Sequence, residues 1–180
     1  MKHIFWLREG KIAGRSGPNT DIWDLNEIKT SGFTSILSVN NGEAVHESML
    51  SNLNIAYSNI PMSSNAPVRN GDKEECLDNL PKALEFIRKN IKNGPVLIHC
   101  RSGKDRTGMV LAAYLIAFER YEVIEAMNEV ISVRPIAFSA EGWFEFGLEV
   151  LNLYKSHNKA LAVDPPFATL WSATEARRYV

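Results

Sequence analysis

Pro95-Val96-Leu97-Ile98-His99-Cys100-Arg101-Ser102-Gly103-Lys104-Asp105-Arg106-Thr107-Gly108 reads as a short apolar strand, a polar loop containing one glycine, and the first turn of a long apolar helix. That order builds an anion site. A loop bent round a helix N-terminus aims several backbone N–H groups at one spot, and the helix dipole adds positive potential there. Cys100 opens the loop and Arg106 closes it with five residues between them. A sulfur nucleophile at the floor and a guanidinium fork at the rim suit a phosphate group.

The elements around this stretch set the fold class. Residues 96–99 are apolar in succession, the mark of a strand buried on both faces. The predicted helix over residues 106–120 is apolar all round and therefore central. Upstream, residues 4–7 and 11–13 predict a hairpin, with residues 14–19 as a loop and Thr20 or Asp21 capping a helix that carries Ile22, Leu25 and Ile28. Residues 35–39 predict a strand, 43–51 a short helix, and 55–60 another strand. Residues 62–71 lack periodicity and predict a loop long enough to suspect function. Asp72, with Glu75 three residues on, resembles a capping box, opening a helix whose stripe is Cys76, Leu80, Ala83, Leu84, Ile87 and Ile91. On that stripe Cys76 reads as a core thiol. Helices over 123–133 and 141–154 complete the pattern, which fades beyond Ser156.

Strands alternating with helices indicate an α/β fold, a central, mostly parallel twisted sheet flanked by helices. Ligands in such sheets gather beyond the carboxyl ends of the strands, where the Cys100 loop must lie. The 180 residues suit a single domain over 1–155, with 156–180 as a tail or an extension docked through Phe167, Leu170 and Trp171.

Composition narrows the setting. A formal charge of −1 provides no global basic field for nucleic acid or membrane. The N-terminal run before Arg8 is too short for a signal-peptide core or a membrane span. Two cysteines, Cys76 and Cys100, are no disulfide framework, and a thiolate nucleophile must stay reduced, so a cytoplasmic monomer is expected. His3, His46, His99 and His157 form no metal-ligand spacing, and no cofactor is expected.

The loop resembles the Cys-x5-Arg signature of the cysteine-dependent phosphatases, a superfamily covering protein tyrosine, dual-specificity and phosphoinositide phosphatases. The resemblance rests on more than the spacing: His99 precedes the cysteine, Gly103 permits the turn, and Thr107-Gly108 follow the arginine. It is strongest from Pro95 to Arg120 and implies the compact architecture of dual-specificity phosphatases. It also implies attack by Cys100 on a phosphoryl group, giving a cysteinyl-phosphate that water hydrolyses. Arg101, Ser102, Gly103, Lys104, Asp105 and Arg106 would cradle the phosphate. Thr107 would assist the departing thiolate, or bond locally as a first-turn helix residue. His99 would orient the loop by hydrogen bonding, or sit as a satisfied strand histidine.

The general acid departs from the commoner pattern of that family, an Asp on a loop roughly thirty residues before the cysteine. Residues 66–70 hold no carboxylate. Asp72 is the nearest, with a capping role competing for it. An Asp directly before the arginine, as Asp105 stands here, resembles the loops of some bacterial lipid-and-tyrosine phosphatases and myotubularin-like lipid phosphatases, where it is a proposed acid. A salt bridge to Lys104 is the plainer reading of Asp105. Arg101 and Lys104 could meet extra ring phosphates or be solvated rim charges, and Arg15 and Arg69 are candidate rim residues. The expected substrate is a phosphorylated protein; the alternatives are a phosphoinositide or inositol phosphate, a phosphate-binding module without turnover, and a rhodanese-like sulfur carrier.

Overall fold

The strand Val96–Cys100 is buried along its whole length and stands at the centre of a five-stranded sheet, as its unbroken apolar run predicts. In chain order the elements are β1 (Phe5–Arg8), β2 (Ile12–Ser16), α1 (Leu25–Thr30), β3 (Ser35–Ser38), α2 (Glu47–Asn52), β4 (Ala56–Asn59), α3 (Asp72–Asn90), β5 (Val96–Cys100), α4 (Asp105–Glu119), α5 (Val123–Val133) and α6 (Trp143–Leu161). The computed structural model describes residues 3–63 and 65–161. α6 runs through Leu161, so residues 156–161 of the expected extension continue a helix. The docking residues expected at Phe167, Leu170 and Trp171 lie outside the described residues.

The sheet order is β1-β2-β5-β3-β4, with only the β1–β2 pair antiparallel. Ser16 pairs with Cys100 and Ser38 with His99, so three parallel strands end level with the loop that follows β5. One face carries the larger core, built on α4 with Leu80, Ala83, Ile87, Met127 and Val150 packed around it. The other carries Leu25, Ile28, Phe33, Ile36 and Leu50 under α1 and α2. Burial on two faces accounts for the apolar run of the central strand β5, and the carboxyl ends of the parallel strands are the natural place for a ligand.

Three local expectations change. Residues 14–16, expected in a loop, extend β2, because Gly14 lets the Phe5 ring lie over it and Arg15 is buried against the Trp23 ring, 5.1 Å from its centroid. Helix α1 begins only at Leu25: Asp24 accepts N–H bonds from Asn26 and Glu27, at 2.9 and 3.1 Å, so Thr20 and Asp21 are not its cap and Ile22 is 96% exposed. No capping box opens α3. Gly71, at φ +91°, is the N-cap, and the Asp72 side chain turns back to the preceding loop.

Candidate active site

The β5–α4 connection is held through its carbonyls. Gly17 N–H donates to the Arg101 carbonyl at 3.0 Å and Gly108 N–H to that of Lys104 at 2.8 Å. Between them, the Arg134 guanidinium donates to the Ser102 carbonyl at 3.0 Å and to the Gly103 carbonyl at 3.2 Å. In a trans peptide the C=O of one residue and the N–H of the next point opposite ways. Anchoring four consecutive carbonyls therefore turns the N–H groups of residues 102–105 to the other side of the loop. No side chain caps the start of α4, so its dipole end and these amides are available to an anion.

Gly103 is required where it stands. Its φ is +60°, and an added Cβ would lie 2.4 Å from the Arg15 carbonyl. The loop thus packs directly on the end of β2.

Cys100, 1% exposed, ends β5. Arg106 lies in the first turn of α4, and its guanidinium donates to the Asn40 side-chain oxygen just beyond β3. Asn40 is itself fixed by donating to Glu43 Oε1 at 2.7 Å. The Arg106 partner is thus a neutral amide, with the carboxylate one residue removed. Nothing in the sequence pattern signalled Asn40, which stands in a turn-forming Asn-Asn-Gly run.

Thr107 is buried and its hydroxyl has no hydrogen-bond partner, so the local helix bond that its position allows is not made. His99 is fully buried, and neither ring nitrogen is hydrogen-bonded. Its imidazole meets the edge of Trp23, with ring centroids 4.5 Å apart, instead of tying down the loop. Burial pushes its pKa down to about 3 against the Cys100 backbone, which favours the cation at a geometry that makes no hydrogen bond, and the neighbouring Arg15 charge adds a smaller downward push. His99 is neutral at physiological pH.

The two carboxylates differ. Asp105 is buried; Oδ1 accepts the Ala140 N–H at 3.1 Å and Oδ2 lies 3.7 Å from Lys104 Nζ. Asp72 is also buried, and both oxygens bind the loop before it: Oδ1 accepts from the Asn65 amide at 2.7 Å and Oδ2 from the Arg69 N–H at 2.6 Å. Burial pushes the Asp72 carboxyl up, but these donors outweigh it and hold the group below the usual carboxylate range. Trp143 Nε1 donates to the Asn65 carbonyl at 2.9 Å, joining the same loop to α6.

The candidate rim residues are divided. Arg101 and Arg69 are exposed and Lys104 is half-buried, whereas Arg15 is 3% exposed and belongs to the floor. Cys76 is a buried core thiol pushed up to about 12, chiefly by burial.

A cysteine at the end of a central parallel strand, an arginine in the next helix and outward-anchored carbonyls between them define a class of anion-cradling fold. The chain belongs to the family of the dual specificity phosphatase catalytic domain, whose model matches residues 17–148.

Individual relatives match over shorter stretches. Mouse dual specificity protein phosphatase 2 is 31% identical over 115 residues, 63% of this chain and 33% of its own length. Human phosphatidylglycerophosphatase and protein-tyrosine phosphatase 1 is 36% identical over 59 residues, 32% of this chain and 29% of its own. The chain spans from 6% to 56% of the lengths of the curated relatives it matches. The crystal structure of Tk-PTP in its active form shares the fold, with a TM-score of 0.69, 21% identity, and coverage of 86% of this chain and 97% of that one.

Proposed function

We propose that the protein is a phosphatase that hydrolyses phosphomonoesters on tyrosine, serine or threonine side chains through a cysteinyl-phosphate. The observation that carries this reading is the β5–α4 loop, with four carbonyls anchored outward, Cys100 at its floor and Arg106 at its helical end. The Cys100 thiolate attacks phosphorus in line and the ester oxygen leaves; water then attacks the phosphocysteine and the thiolate leaves. Arg106 exchanges its Asn40 partner for two non-bridging oxygens, which carry more charge in the transition state. Thr107, buried with an uncommitted hydroxyl, donates to the sulfur as it departs in the second step.

Asp105 is the proposed proton donor to the leaving oxygen. It lies one residue from Arg106 and, among the described residues, only its Oδ1 accepts a hydrogen bond, from Ala140, whereas both Asp72 oxygens are taken by the preceding loop. The cytoplasm is the proposed compartment and a monomer the proposed state, in keeping with two free, buried thiols. No described helix is long and apolar enough to cross a membrane.

A second reading, a phosphoinositide substrate, is favoured by exposed Arg101 and half-buried Lys104 in the cradle loop itself, where further ring phosphates would find partners. The experiment that separates these readings is a panel of phosphotyrosine peptides, phosphothreonine peptides and phosphoinositides, assayed with the protein and with Cys100→Ser. Peptide turnover lost in Cys100→Ser is expected. Turnover surviving that substitution would remove the mechanism.

A further inference from the structure

We infer that Arg134 is a positioning residue for the phosphate cradle, seated by the N-terminal hairpin, and that the pair Phe5–Arg134 sets the direction of two cradle amides. The inference rests on the phosphatase reading above and extends it to residues more than thirty positions away from the loop.

Arg134 follows α5 as its C-terminal cap residue and is half-buried. Its Nη2 donates to the Ser102 carbonyl at 3.0 Å and its Nε to the Gly103 carbonyl at 3.2 Å. These two carbonyls belong to the peptide units whose N–H groups are those of Gly103 and Lys104. One planar cation therefore fixes both units. The outer carbonyls of the loop, those of Arg101 and Lys104, are held by backbone amides that no side-chain substitution removes. The middle pair depends on one side chain.

The cation also acts electrostatically. Placed at the oxygen end of two peptide dipoles, it reinforces the positive potential on their N–H side, where an anion would bind. A lysine keeps the charge but loses the fork that spans two acceptors.

What seats Arg134 is the hairpin. Its guanidinium carbon lies 5.1 Å from the centroid of the Phe5 ring. The same ring covers Gly14 of β2 so closely that a Cβ there would fall 2.3 Å from its Cζ atom. Glycine at position 14 lets Phe5 lie flat enough to carry the arginine. The chain of contacts runs Gly14, Phe5, Arg134, then the carbonyls of Ser102 and Gly103.

The test compares Arg134→Met, Arg134→Lys, Phe5→Leu and Gly14→Ala with the unsubstituted protein. It reads kcat and KM on p-nitrophenyl phosphate, competitive inhibition by vanadate, and thermal unfolding. Arg134→Met is expected to lower kcat/KM about 10- to 100-fold, below the loss for deleting an oxyanion donor outright because the amides are misdirected, not removed. Vanadate should inhibit it about tenfold more weakly, in the fraction that remains folded at the assay temperature. Arg134→Lys should recover melting temperature more than activity. Phe5→Leu and Gly14→Ala should give smaller losses of the same kind, about threefold.

Vanadate inhibition and kcat/KM within twofold of the unsubstituted protein in Arg134→Met would overturn the inference. So would a loss that follows only the unfolded fraction, with vanadate affinity unchanged. If the unsubstituted protein turns over no phosphomonoester, the phosphatase reading fails separately. Inorganic phosphate binding by calorimetry then decides the positioning role: weaker binding to Arg134→Met supports it, while equal binding, or none to either protein, overturns it.

Discussion

The loop of residues 101–104 and the loop of residues 62–71 are fastened by opposite means. The first is tied down through backbone carbonyls, by Gly17, Gly108 and Arg134, which leaves its amides for a ligand. The second is held by the Asp72 carboxylate, which takes the Asn65 and Arg69 donors on its two oxygens, and by Trp143 Nε1 on the Asn65 carbonyl. A loop fastened by its acceptors remains a binding surface. Both Asp72 oxygens accept hydrogen bonds from the loop before it, whereas among the described residues only one oxygen of Asp105 accepts one, from Ala140, and this difference supports the proposal that Asp105 is the proton donor.

The largest expected effect lies in the first loop. Arg106→Ala should reduce kcat/KM on a phosphotyrosine peptide by about a thousandfold, because the proposed mechanism has the guanidinium meet charge that grows in the transition state. A loss under tenfold, in a variant that melts like its parent, would break the comparison at its strongest point.

The carboxylates come next. Asp105→Asn should slow hydrolysis of an alkyl or phenyl phosphate about a hundredfold, while a substrate with a good leaving group barely responds. Asp72→Asn should slow both substrates alike and only modestly. If Asp72→Asn shows the selective loss instead, the two residues exchange roles.

His99 extends the comparison to the floor beneath the first loop. Its folded form takes a proton only near pH 3, whereas the unfolded chain takes one near pH 6.5. Between those values the unfolded state binds more protons, so stability rises with pH. Lowering the pH from 7 to 5 should cost about 2 kcal/mol from this group, and His99→Gln should flatten that slope in urea melts. An unchanged slope would place the proton elsewhere.

The smallest effect is the stability held by Asp72. Its folded pKa is depressed, so its contribution is complete above the unfolded value of about 3.9 and fades as pH falls through the folded one. Asp72→Asn should cost about 1 kcal/mol at pH 7. The melting-temperature gap between variant and parent should close below about pH 4; a gap that persists would show that the carboxylate charge is not what holds residues 62–71.

Much of this is legible in the sequence. The run 95–108 carried strand, loop and helix together, and its apolar succession placed it at the centre of a parallel sheet. The stripe from Cys76 to Ile87 has the helical spacing it promised. What stayed hidden depends on contacts between distant residues. Residues 14–19 read as a loop because glycine and polar side chains usually mark one, yet Phe5 covers Gly14 and Trp23 stacks on Arg15, so the strand continues through Ser16. Asn40 looked like part of a turn and proves to hold Arg106. Arg134 stands just past the helix expected over 123–133, and nothing in that position tells that its fork reaches the loop. Local patterning reports periodicity and caps, but not which side chain folding will bring to a carbonyl thirty residues away.

The chemistry is decided by whether phosphate passes through Cys100. Rapid quenching of the reaction with a phosphotyrosine peptide, followed by mass analysis of the peptide that contains Cys100, should reveal a phosphoryl adduct on that cysteine. The adduct should be absent from Cys100→Ser, which should also lack turnover. Full turnover with no adduct on Cys100, or an adduct on another residue, would contradict the mechanism.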